Sequence, residues 1–221
     1  MTKKRLIIID DHPIFIQGVS LVIDGSGTFA VVGQAVNWAE ALLLAETEKP
    51  DLAIVDLNLG DEDGLELIKV FHDRYPRLVT VVLSMMSERC YAERCLAAGA
   101  RGYIMKDEAS SVLIEALTTI ASGGVWLSDS ERARYFDARF DPAPSRDRND
   151  RDSSLATLSD RQLQIMQLLG KGFGTIDIAG RLSISRKTVE AHKDQLKKKL
   201  GCSTVQELIR LAIEWTAGIA R

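Results

Sequence analysis

The stretch LIIIDDHP, residues 6–13, runs four apolar side chains straight into two adjacent carboxylates. A run without polar alternation fits a strand covered on both faces, as in a parallel sheet flanked by helices. Asp10 and Asp11 then stand at the carboxyl end of that strand. Open α/β sheets bind ligands at this rim, so paired acids there point to a cation or to acid–base work. The same residues also admit a plainer role, with Asp11 capping a helix that opens near Pro13.

Working outward, RLIII (5–9) is followed by four more strand-like runs: FAVVGQA (29–35), DLAIVDL (51–57), LVTVVLS (78–84) and GYIMK (102–106). Helical periodicity fills the intervals. Phe15, Val19, Val22 and Ile23 fall at i, i+4, i+7 and i+8, and Ala39, Leu42, Leu43 and Glu46 mark a stripe on the second helix. The remaining helices are expected over residues 64–74, 88–98 and 110–122. Strict alternation across residues 1–125 predicts a doubly wound α/β domain. Its five strands are expected to form one parallel sheet.

A chain of 221 residues suits two modest domains, and its 46% hydrophobic, 27% charged composition can bury a core without disulfides or metal staples. Cys90, Cys95 and Cys202 form neither an even framework nor a CxxC pair, which argues against structural zinc and for a reducing, cytoplasmic setting. Packing accounts for Cys90 and Cys95 better than redox sensing does. The apolar run behind the basic N-terminal residues ends at Asp10, too short for a signal peptide, and no apolar stretch approaches membrane-spanning length. No membrane partner is expected. The net charge of −3 conceals an asymmetry. Basic against acidic residues number 11 against 18 over 1–128, 6 against 7 over 129–154 and 11 against 6 over 155–221. An acidic front suits a cation, and a basic back suits a polyanion such as DNA.

Residues 141–154, DPAPSRDRNDRDSS, hold almost nothing apolar and read as a linker. Ser128 and Glu131 have capping-box spacing, so a short helix over 129–138 precedes it inside a connecting region 126–154. From residue 155 to 221 the signal is helical only. Ser159 with Gln162 is a second capping-box pair, followed by the apolar face Leu163, Ile165, Met166 and Leu169, and three more helices are expected near 174–182, 186–200 and 204–217.

Strands one, three, four and five end at one rim, where Asp10, Asp11, Asp56, Ser84 and Lys106 converge. Three carboxylates, a hydroxyl and an ammonium form a phosphoryl-transfer kit. The acids suit Mg²⁺, Asp56 can act as nucleophile, and Lys106 and Ser84 can bind phosphoryl oxygens. With these residues in place, residues 1–125 resemble the receiver domain of a two-component response regulator, and the resemblance implies a flavodoxin-like sheet of order 2-1-3-4-5. The resemblance implies that Asp10 and Asp11 hold metal with Asp56, that Asp56 is the phosphoacceptor and that Lys106 contacts the phosphate. It also implies that Ser84 is the switch hydroxyl, that the Asn58 backbone carbonyl is a further metal ligand and that Tyr103, which equally suits a core position, is the switch aromatic. Leu59-Gly60 and the acids after them replace the family's usual Met-Pro, making that loop more flexible and more acidic. His12, beside the acids, reads as a helix-start residue in preference to a metal ligand.

The segment GTIDIAGRLSISRKTVEAHKDQLKKKLG (174–201) has helix-turn-helix geometry, with a tight turn near residues 183–185. On its second helix Val189, His192, Lys193, Leu196 and Leu200 share one side, while Lys187, Glu190, Ala191, Asp194 and Lys198 share the other. The segment resembles the LuxR-type DNA-binding domain, departing at Gln162, where Glu is usual, and at Ile176, where a polar residue is common. Base contacts are implied at Glu190, Ala191 and Asp194. Lys187, Thr188, Lys193, Lys197 and Lys198 complete the expected DNA surface, mainly as phosphate contacts. Both resemblances together describe a NarL/FixJ-type regulator, not an enzyme, in which phosphotransfer from a histidine kinase to Asp56 controls homodimerisation and DNA binding. A metal-dependent phosphatase of the haloacid dehalogenase kind is the rival. It wants a second acid two residues past the nucleophile, where this chain has Asn58, and it leaves the helix-turn-helix unexplained.

Overall fold

Four apolar residues without alternation need cover on both faces, and Leu6 to Ile9 receive it: none is more than 1% exposed in the computed structural model. The structure describes residues 3–60, 62–140, 155, 157–182 and 184–216, and divides into two compact units, 1–143 and 144–221.

In the first unit β1 (Lys4–Ile9), β2 (Phe29–Ala35), β3 (Leu52–Val55), β6 (Val79–Ser84) and β7 (Tyr103–Met105) form one parallel sheet in the order β2-β1-β3-β6-β7. This is the expected 2-1-3-4-5 arrangement of the long strands. The helices between them are α1 (Pro13–Gly25), α2 (Trp38–Glu48), α3 (Gly64–Arg74), α4 (Glu88–Ala97) and α5 (Ala109–Ala121). Alternate strand residues Leu6, Ile8, Leu52, Ile54, Val81 and Leu83 pack with Ile16, Val19 and Ile23 of α1 and Leu113, Leu117 and Ile120 of α5. The intervening residues Ile7, Ile9, Ala53, Val55 and Val82 are equally buried, on the opposite face.

One local expectation changes. On α2 the buried residues are Ala41 and Ala45, not the stripe through Leu42 and Leu43, and Leu43 is 59% exposed. The small alanines let α2 lie close to the sheet, and Leu44 fills the space above Gly33, where an added Cβ would meet Leu44 Cδ2 at 2.7 Å. The loop after Asp56 contains a two-residue antiparallel hairpin, β4 (Asn58–Leu59) with β5 (Glu62–Asp63). Gly60 supplies the positive φ (60°) that the turn requires, and residue 61 lies outside the described residues.

The first unit also continues past residue 125. Trp126 bridges Gly102 beside β7, and α6 (Asp129–Phe140) follows. The Ser128–Glu131 capping box forms only by half. Ser128 Oγ accepts the Glu131 N–H at 3.3 Å, but the Ser128 N–H donates to Glu88 Oε1 of α4 at 2.8 Å. Glu131 instead pairs with Arg134, whose guanidinium also reaches the Arg89 carbonyl. Residues 126–135 are therefore tied to α4. The expected linker, 141–154, lies outside the described residues.

The second unit contains α7 (Asp160–Gly170), α8 (Thr175–Arg181), α9 (Arg186–Leu200) and α10 (Val205–Thr216). Leu163, Ile165, Met166 and Leu169 are all buried, as their spacing predicts. Ser159 and Gln162 form the complete reciprocal capping box. Gln162 does more than cap. Its Nε2 donates to Gln195 Oε1 at 3.0 Å and its Oε1 accepts from Lys199 Nζ at 3.0 Å, so an amide, with both donor and acceptor, serves this position. Gly170 gives α10 room, since a Cβ there would collide with Ala212 O and Thr216 Oγ1. Gly201, in the left-handed region at φ 65°, ends α9. Leu208, Ala212 and Trp215 are the inward residues of α10, whereas Ile213 is 47% exposed.

Candidate functional site

Three of the converging side chains sit one residue beyond their strands, and the sheet's hydrogen bonding carries on to hold them there. The Asp10 N–H donates to Ala35 O at 3.0 Å, Asp56 N–H to Ile9 O at 2.9 Å and Lys106 N–H to Ser84 O at 2.9 Å. Ser84 itself closes β6. Anchored backbones on neighbouring strands fix the spacing of the side chains they carry.

At the centre lies Asp56, 3% exposed. Its Oδ1 accepts from Ser84 Oγ at 2.7 Å and from the Asn58 N–H at 3.2 Å, and its Oδ2 accepts from Lys106 Nζ at 2.7 Å. Lys106 Nζ also pairs with Asp10 Oδ2 at 2.6 Å and stands 4.5 Å from the Phe15 ring centroid. Burial raises the Asp56 carboxyl above its ordinary range, Lys106 and Ser84 oppose the rise, and the Asp10 charge adds to it. For Lys106, burial pulls the ammonium down, but Asp56 and Asp10 outweigh it and the net shift is upward.

Asp10, Asp11, His12 and Asp56 present ligand atoms that all lie within 4.8 Å of one another. Asp11 Oδ1 is buried and accepts no hydrogen bond among the described residues, although His12 Nδ1 is only 2.7 Å away. The three carboxylates that meet here, with His12 beside them, fit a hard divalent cation such as Mg²⁺. Asp11 does not cap α1. His12 holds that position, without a side-chain capping bond, and its N–H donates to Asp10 Oδ1 at 2.9 Å.

A second chain of contacts leads away from Ser84. Its Oγ accepts from the Met86 N–H at 3.3 Å, and the Met86 carbonyl accepts from the buried Tyr103 hydroxyl at 2.7 Å. Sequence reasoning named Tyr103 but missed Met86, because a backbone carbonyl leaves no signature in residue type. It also missed Gly64. A Cβ there would collide with Asp56 O and lie 2.6 Å from Leu57 Cα, so only glycine lets α3 start this close to Asp56.

In the second unit α8, a short turn and α9 make the expected helix-turn-helix, with residue 183 outside the described residues. Val189 and Leu196 are buried, while Lys187, Thr188, Glu190, Ala191, Asp194 and Lys198 are exposed and Lys197 is partly exposed. Asp194 pairs with Lys197 at 2.9 Å, which lowers its carboxyl below the ordinary value. Lys193 departs from its expected place on the phosphate-facing surface. It is buried, and its ammonium donates to Glu190 Oε1 and Thr175 Oγ1.

The receiver-domain family of response regulators matches residues 6–118, and the luxR family of bacterial regulatory proteins matches residues 156–212. The chain belongs to the response regulators. Within that family it is 30% identical over 211 residues to the oxygen regulatory protein NreC of Staphylococcus aureus, spanning 95% of this chain and 97% of that one. It is 31% identical over 212 residues to the transcriptional regulatory protein MctR of Rhizobium johnstonii, spanning 96% and 94%. The same fold occurs in RcsB of Salmonella enterica serovar Typhimurium, solved bound to a promoter with a phosphomimetic. That likeness has a TM-score of 0.74 at 24% identity, over 96% of this chain and 98% of that one. The response regulator thus carries a receiver domain around the Asp56 pocket and a LuxR-type domain around α9. No described helix is long and apolar enough to cross a membrane.

Proposed function

We propose that this response regulator takes a phosphoryl group from a partner histidine kinase onto Asp56, and that the modification controls dimerisation and sequence-specific DNA binding in the cytoplasm. The observation that carries the reading is the double engagement of Asp56, by the Ser84 hydroxyl on one oxygen and the Lys106 ammonium on the other. A carboxylate oxygen of Asp56 attacks phosphorus, the new O–P bond forms as the phosphohistidine P–N bond breaks, and the imidazole leaves. Asp10, Asp11, Asp56 and the Asn58 carbonyl would hold Mg²⁺, which supplies neutralisation of the charge gathered on the transferring group. Lys106 and Ser84 then bind the phosphoryl oxygens, and withdrawal of Ser84 from its contact with Met86 carries the change toward Tyr103.

Residues 1–125 act as the receiver, 126–154 connect the domains, and 155–221 bind DNA with α9 in the major groove. Glu190, Ala191 and Asp194 read bases, while Lys187, Thr188, Lys197 and Lys198 meet phosphates. Two copies read a near-palindrome, the exposed Ile213 of α10 offering apolar surface for the contact. Incubation with a small acyl phosphate and Mg²⁺ tests the acceptor. One hydroxylamine-labile phosphoryl group should appear in the wild type and be absent from Asp56→Asn; equal labelling of the variant would refute the assignment.

A further inference from the structure

Glu190 is held from two helices at once. Thr175 Oγ1, at the start of α8, donates to Glu190 Oε1 at 2.6 Å, and Lys193 Nζ donates to the same oxygen at 3.0 Å and to Thr175 Oγ1 at 3.1 Å. Oε2 receives no donor among the described residues. The Lys193 side chain is 9% exposed, but that of Glu190 is 51% exposed. Asp194, by contrast, has its Lys197 partner on the same helix and is 65% exposed. Glu190 is therefore held by two donors from two helices, and Asp194 by one donor of its own helix.

We propose that Thr175 and Lys193 are positioning residues for base readout: they fix the Glu190 carboxylate by Oε1 so that Oε2 accepts a hydrogen bond from the exocyclic amino group of a cytosine. This rests on α9 being the helix that reads bases. A carboxylate accepts only, so it needs a donor in the groove. Cytosine offers N4–H₂, whereas adenine sets its N6–H₂ beside the repelling N7 acceptor. The Thr175 hydrogen bond, and after it the Lys193 hydrogen bond, lower the Glu190 carboxyl below the ordinary value, so the acceptor stays ionised. Fixing a side chain before binding reduces the ordering cost at the moment of recognition.

The test uses the full chain, treated with a small acyl phosphate, in selection from a pool of randomised duplex DNA. Wild type should select cytosine at one position of each half-site, and Glu190→Ala should lose that preference. Lys193→Met and Thr175→Val should relax discrimination at the same base pair by about tenfold and leave other positions alone, the size expected of one good base contact. Thr175→Ser, which keeps the hydroxyl, should retain it. The salt dependence of Lys193→Met should match wild type. If Lys193→Met instead weakens all sequences alike and lowers the salt slope by about one, Lys193 is a phosphate contact and the proposal fails. It also fails if Glu190→Ala relaxes the consensus while both positioning variants keep it. An unchanged consensus in Glu190→Ala would overturn the reading face on which the proposal stands.

Discussion

The Ser84 hydroxyl donates to Asp56 Oδ1 at 2.7 Å and accepts from the Met86 N–H at 3.3 Å, so one side chain joins the Asp56 carboxylate to the loop that Tyr103 also grips. Ser84→Ala removes both bonds. A hydrogen bond to a charged group contributes about 1.5–3 kcal/mol, which corresponds to roughly ten- to hundredfold in an equilibrium. The variant should still accept a phosphoryl group on Asp56, but the gain in DNA affinity on phosphorylation should fall by about tenfold or more. Comparing affinity before and after acyl phosphate treatment checks this.

Lys106 separates two buried carboxylates, at 2.6 Å from Asp10 and 2.7 Å from Asp56. Removing one partner from such a group leaves uncompensated charge and costs about 3–5 kcal/mol. Lys106→Met should unfold at lower urea, and Mg²⁺ should restore more stability to it than to the wild type, since a cation then supplies the missing positive charge. Urea titrations of both proteins with and without Mg²⁺ give the answer.

Glycines 64 and 18 should respond in opposite directions. A Cβ at Gly64 collides with the Asp56 backbone, so Gly64→Ala should destabilise the receiver by about 1–3 kcal/mol and slow phosphorylation. Gly18, inside α1, has nothing within 4 Å of an added Cβ, and Gly18→Ala should stabilise by about 0.5–1 kcal/mol. Thermal melts of the two variants make the comparison.

Burial raises the Glu88 carboxyl, the Ser128 N–H opposes the rise, and Glu131 and Glu108 add to it. A carboxyl whose folded value exceeds its unfolded value gives the folded state extra proton affinity. Its contribution is thus complete at acid pH and is lost as pH climbs from the unfolded carboxylate range through the folded value. Glu88→Gln keeps an acceptor for Ser128 but carries no charge. It should raise the denaturation midpoint at neutral pH and leave it unchanged at pH ~4 or below, near the unfolded carboxyl value.

Lys198 is exposed near the end of α9 and meets DNA, in the proposed reading, only through phosphate. Lys198→Ala should weaken binding to all sequences alike and lower the salt slope by about one, with no change in consensus. Affinity for two unrelated duplexes across a salt series measures both.

The sheet and its rim were legible because buried parallel strands write themselves as apolar runs, and because Asp10, Asp56, Ser84 and Lys106 fall where those runs stop. The face of α2 was not, since Ala41 and Ala45 are buried while the larger Leu43 beside them is exposed, an order that apolar periodicity does not encode. Lys193 was misplaced for a related reason. Helical spacing put it on the inner side of α9, yet its charge argued for phosphate, and only the partners Thr175 and Glu190 reveal that the burial is compensated. Met86 and the Ser128–Glu88 bond act through backbone atoms, which residue identity does not encode.

The most direct measurement of the central claim is the affinity of the full chain for a duplex it has itself selected, taken with and without a small acyl phosphate and Mg²⁺, for wild type and Asp56→Asn. Affinity should rise by about tenfold or more in the wild type, about 1.4 kcal/mol, and stay level in the variant. An equal rise in Asp56→Asn, or a fully phosphorylated wild type whose affinity has not moved, would contradict the account.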